Sequence, residues 1–253
     1  MPTPQITLLL IIAGFLGGIA NSMAGGASLF TFPAMLAAGL PPITANASNT
    51  FAVVFGNITG AWAERRLLPP FTTSMFWSMG SALLGGLLGA ILLVTTPESL
   101  FTAVVPALIG LATLIFAFAK PIQTWLAKQI SAGQTGAMRV GLLLPASIYG
   151  GYFGAGLGVI LMAVIRATSP WELRSANAFK NLLGVLTNAM AIALFIWWGL
   201  ISWPEAGIML MACIAGGFAG VKLLKIIPPA KVRSFIIAAG CLMTLVYAFK
   251  YWL

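Results

Sequence analysis

The chain has 253 residues, of which 60% are apolar and 7% charged, and it carries a formal net charge of +9. Runs far longer than eighteen residues contain no ionisable side chain, which excludes a soluble globular domain and predicts an all-α polytopic membrane protein. The basic excess lies in short loops between apolar spans, so it reads as a topology signal and not as a nucleic-acid surface.

The N-terminal Met1-Pro-Thr-Pro lacks the basic segment of a cleavable signal, so the first apolar stretch is expected to be retained. That stretch runs over 6–40 and is interrupted by Asn21-Ser22-Met23-Ala24-Gly25-Gly26-Ala27-Ser28. As one helix, its 35 residues would extend about 52 Å, against a hydrocarbon core of about 30 Å. A hairpin that enters the membrane, turns at the glycines and returns fits the length, provided that the turn is buried or lines a cavity. Three crossings follow, over 44–62, 71–94 and 100–119. A cytoplasmic linker over 126–138 separates this first repeat, 1–125, from a second, 139–253. The second repeat opens on an apolar stretch, 140–165, interrupted by Gly150-Gly151-Tyr152-Phe153-Gly154-Ala155-Gly156-Leu157-Gly158, and continues with crossings over 175–198, 204–224 and 234–252.

The halves are related by an offset of 131 residues. Asn46, Asn49, Thr50 and Asn57 correspond to Asn177, Lys180, Asn181 and Asn188, and Gly85, Gly86 and Gly89 to Gly216, Gly217 and Gly220. Positions i, i+3, i+4 and i+11 share a helical face, so each half carries one polar stripe on an apolar helix. Only the second stripe is charged. The GGxxG segments read as close helix packing, within a chain or between chains, which leaves a homo-oligomer open.

Three crossings per half is an odd number, so the halves are expected to be inverted. With the N-terminus outside, Arg65, Arg66, Lys120, Lys128, Arg139, Arg166, Arg174, Lys222, Lys225, Lys231 and Arg233 all fall on the cytoplasmic side. A parallel arrangement would instead export Arg166, Arg174 and the basic cluster from Lys222 to Arg233.

Inverted repeats with broken helices place a substrate site where the breaks meet. The candidate site residues are Asn21, Ser22, Gly25, Gly26 and Ser28 at the first break, Asn46, Asn49 and Thr50 on the first stripe, Gly154 and Gly156 at the second break, and Asn177, Lys180 and Asn181 on the second stripe. Helix-start N–H groups carry partial positive charge and suit an oxyanion, amides add neutral donors, and Lys180 supplies the formal charge. Alternatively, Lys180 snorkels to the interface and the asparagines are interhelical glue. There is no histidine or aspartate, and Glu64, Glu98, Glu172 and Glu205 fall at span ends, so a buried carboxylate relay for proton coupling is not expected. A membrane potential, negative inside, still favours exit of a dianion by about 4 to 5 kcal/mol per 100 mV. Nothing points to an enzyme, a cofactor or a bound metal, and Cys213 and Cys241 read as packing residues.

The segment Gly17-Gly18-Ile19-Ala20-Asn21-Ser22-Met23-Ala24-Gly25-Gly26-Ala27-Ser28, then Phe32-Pro33, Gly39-Leu40-Pro41-Pro42, Ala45-Asn46-Ala47-Ser48-Asn49-Thr50 and Glu64-Arg65-Arg66, resembles the sulfite exporter TauE/SafE family. The glycine-rich block at 150–158 resembles that family's second signature. The resemblance implies a bacterial inner-membrane transporter of sulfite or small organosulfonates such as sulfoacetate, usually outward. An importer of sulfate, thiosulfate or another anion is the alternative within transport, and a non-transporting scaffold the alternative outside it.

Overall fold

The computed structural model describes residues 2–129, 135–223 and 228–253. The centre of the expected linker, together with Leu224 and Lys225, lies outside the described residues. Among those residues the chain forms eleven α-helices, one 3-10 turn and no strand: α1 (Pro4–Ala24), α2 (Ser28–Ala37), α3 (Pro42–Ala63), the turn Arg65–Leu67, α4 (Thr73–Thr95), α5 (Glu98–Ala117), α6 (Ala119–Gln129), α7 (Thr135–Tyr152), α8 (Leu157–Thr168), α9 (Leu173–Trp197), α10 (Trp203–Leu223) and α11 (Pro229–Trp252). Adding 131 to the start of α1, Pro4, gives Thr135, the first residue of α7, and adding it to Pro42 gives Leu173, the first residue of α9. The sequence repeat is therefore a repeat of helices. α11 runs unbroken through the position equivalent to the bend between α5 and α6.

Among the described residues, five helices are long and apolar enough to cross a membrane: α1 over Pro4–Ser22, then α4, α5, α9 and α11 over Lys231–Trp252. Of the expected crossings, α3 and α10 have the length, at 22 and 21 residues. The polar stripe lowers the apolarity of α3.

Both expected breaks are present, with unequal arms. α1 has 21 residues and α2 only 10, so α1 alone would extend about 31 Å, and the turn does not sit midway. Gly25 ends α1 in the left-handed region, at φ 76°, where its N–H reaches the Asn21 carbonyl. α2 then folds back, placing Thr31 against Gly17 of α1. In the second half Gly154 and Gly156 take φ values of 78° and 81°, and the turn between α7 and α8 is closed by Tyr149, whose hydroxyl donates to the Ala155 carbonyl at 2.6 Å.

The GGxxG segments pack within the chain. A methyl group on Gly216 or Gly220 of α10 would overlap Phe15 or Ile19 of α1, and one on Gly85 or Gly89 of α4 would overlap Leu144, Ile148 or Tyr152 of α7. Small residues thus let each long hairpin arm approach a helix of the other half to backbone contact. Equivalent helices run antiparallel where they meet. Along α5 and α11, Ala103 meets Trp252, Gly110 meets Thr244, Thr113 meets Gly240 and Phe116 meets Arg233. Along α3 and α9, Asn57 meets Gly184 and Gly60 meets Asn181.

Arg139 is more than a loop cation. It is 5% exposed, its guanidinium donates to Ser74 and Ser169 at 2.7 Å and to Ser78 at 3.2 Å, and it lies 5.0 Å from the centre of the Trp171 ring. It thereby ties α7 to α4 and to the segment before α9.

Candidate functional site

The antiparallel stripe helices α3 and α9 and the two helix breaks enclose a cavity of about 450 Å³. Of the residues singled out in the sequence, Asn21, Ser22, Gly25, Ser28, Thr50, Gly154, Asn177, Lys180 and Asn181 line it. Asn57 and Asn188, the fourth members of the two stripes, line it as well. Glycines make the room: a methyl group on Gly56 or Gly60 would overlap the amide of Asn21 or Asn181, and one on Gly184 would press on Asn57. These glycines were missed in the sequence, although the Gly56/Gly60 spacing on the stripe helix was there to find.

Four candidates do not line this cavity. Gly26 packs against Phe116 and Ile236, and Gly156 faces Ala112 and Ile115. Asn46 and Asn49 turn away to hold the breaks. The Asn46 amide donates to the carbonyl of Tyr152, the last residue of α7, at 2.9 Å, while its own carbonyl oxygen is buried without a partner. Asn49 donates to Ser28 at 3.2 Å and accepts from Thr31. The first turns of α3 therefore fasten both hairpins. This division is physical: near its N-terminus α3 is enclosed, with Asn46 and Asn49 each 1% exposed, whereas its C-terminal half faces the cavity.

Both short helices start at the cavity without a side-chain cap, since Ala27 and Gly156 make no capping hydrogen bond. Ala27 and Ser28 at one start, and Leu157 and Gly158 at the other, line the wall. Most of their first N–H groups donate within the turns, Leu29 to Gly26, Phe30 to Ala27, Leu157 to Gly154 and Val159 to Gly156, so it is the partial positive charge of the helix starts that favours a negative guest.

The cavity also holds one carboxylate, which changes the expectation drawn from the sequence. Glu64 does lie at the end of α3, as its C-cap, but its side chain is only 21% exposed and reaches across to α9. There it accepts a hydrogen bond from Asn177 at 2.7 Å, stands 3.9 Å from Arg174, and shares the cavity wall with Lys180. A residue at a span end is free of the helix's own side-chain register, so its position in sequence did not disclose its direction. Lys180, for its part, lines the cavity.

A cavity that gathers Lys180, Glu64 and several asparagines between discontinuous helices of two repeated halves, inside a bundle with several membrane-length apolar helices, defines a multi-pass membrane transporter. Residues 10–247 match the family described as "Sulfite exporter TauE/SafE", and the chain belongs to that family. It is similar to a protein of Haemophilus influenzae named "Probable membrane transporter protein", 25% identical over 95% of this chain and 93% of the relative. It is likewise similar to "Probable membrane transporter protein ORF9" of Sinorhizobium, 28% identical over 98% and 97%, and to "Probable membrane transporter protein YfcA" of Escherichia coli K12, 24% identical over 96% and 90%. No solved structure matches the chain significantly.

Proposed function

We propose that this transporter exports a small sulfur-containing oxyanion, sulfite or an organosulfonate such as sulfoacetate, across the bacterial inner membrane by alternating access. The observation that carries this reading is the convergence on one cavity of the Lys180 ammonium, the amides of Asn21, Asn57, Asn177, Asn181 and Asn188, and two uncapped helix starts. Such a wall replaces the hydration shell of an anion with fixed donors. The antiparallel packing of α5 on α11 and of α3 on α9 supports halves inverted in the membrane, with the cavity between them as the pivot. Outward movement of an anion needs no coupled ion, since the potential itself contributes about 2.3 kcal/mol per charge per 100 mV.

The test is flux of sulfite and sulfoacetate from loaded proteoliposomes under potassium-diffusion potentials of either sign. Flux that reverses its preference with the sign of the potential is the expected result. No flux of either anion under either polarity would sink the reading.

Glu64 favours a second reading, in which the anion moves together with a proton carried on this carboxylate. It predicts flux driven by a pH gradient at zero potential, lost in Glu64→Gln.

A further inference from the structure

A second cavity, of about 240 Å³, adjoins the first. The two share Asn21, Ser22, Gly25, Gly158, Asn177 and Lys180. What the second adds is α6: Lys120 and Gln123 of that helix line it together with Val159, Met162 and Ala163 of α8. Its charge balance differs from that of the main cavity. It is lined by two ammonium groups and three side-chain amides and by no carboxylate, whereas the main cavity sets Glu64 against Lys180. A concave site with cations of one sign and no internal counter-ion raises the local concentration of small anions.

We propose that this second cavity is a waiting site for the transported oxyanion, held by Lys120 and Gln123 and emptied toward Lys180. The inference rests on the anion-transport reading above and adds a station to it. Because Lys180 borders both cavities, an anion held in the waiting site passes along its ammonium into the main cavity. α11 runs unbroken through the position equivalent to the bend between α5 and α6, and it is this bend that brings Lys120 and Gln123 to the cavity. A bound anionic lipid headgroup shares the same oxyanion chemistry, and vesicle composition separates the two.

The experiment measures initial sulfite flux against concentration, at low and high ionic strength, for the full chain and for Lys120→Gln, Lys120→Arg and Lys180→Ala in phosphatidylcholine vesicles. For a largely exposed charge, Lys120→Gln is expected to raise KM about two- to fivefold, with a smaller effect on kcat. It should also weaken the salt dependence of KM, and Lys120→Arg should restore both. An unchanged KM in Lys120→Gln, with Lys180→Ala impaired, overturns the waiting site and leaves the transport reading standing. A Lys120→Gln defect seen only when phosphatidylglycerol is included also overturns it, in favour of a lipid headgroup as the occupant. If the unmodified protein carries no anion, both readings fall together.

Discussion

Replacing Lys180 with methionine removes the ammonium while keeping an unbranched side chain of similar reach. At about 4 Å from a bound anion and an effective dielectric near 20, a unit charge contributes about 4 kcal/mol. The full amount is not lost, because the Glu64 carboxylate lines the same cavity and offsets part of the ammonium's field. Setting that offset against the full amount leaves a net loss of about 2 to 3 kcal/mol, or roughly 30- to 150-fold in kcat/KM. Initial rates from proteoliposomes at fixed potential read this directly. Lys180→Arg should retain more activity than Lys180→Met, and Lys180→Met combined with Glu64→Gln should recover part of the loss, since the double variant no longer leaves a lone carboxylate in the cavity. A Lys180→Met protein within twofold of the unmodified rate would refute the charge argument, and an inactive double variant would refute the Glu64 part of it.

Glu64→Gln alone is expected to strengthen anion binding by up to about tenfold, equivalent to about 1.4 kcal/mol, because the resident carboxylate no longer competes for Lys180 and Asn177; unchanged affinity by equilibrium dialysis would contradict this. Gly89→Ala places a methyl group against the Ile148 carbonyl and 2.7 Å from the Tyr152 nitrogen, so a loss of about 1 to 3 kcal/mol should appear as a lowered unfolding midpoint in detergent. Arg139→Met removes the donor from the hydroxyls of Ser74 and Ser169, while Ser78 keeps its bond to the Ser74 carbonyl, and should cost about 2 to 3 kcal/mol in the same measurement; an unchanged midpoint would deny Arg139 its role as a staple.

Hydrophobic length, glycine breaks and the 131-residue offset were local properties of the chain, and they determined the helical membrane class, both broken hairpins and the equivalence of the two halves. The charged stripe led to Lys180 for the same reason: an ammonium in an apolar helix is costly anywhere except at a polar cavity. Helical periodicity gives only the angular position of a side chain, however. It says nothing of what faces that side at each depth, so Asn46 and Asn49 were indistinguishable in sequence from Thr50 and Asn57. Packing separated them, enclosing the start of α3 against the two hairpin turns and opening its later turns to the cavity. The GGxxG segments announced close approach without naming a partner, and only the assembled bundle set them against the long arms of the opposite half. Glu64 lay beyond the reach of any periodic rule. Its position at a helix end leaves its direction to tertiary contacts, and the fold turned it inward to Asn177 and to the cavity that Lys180 lines.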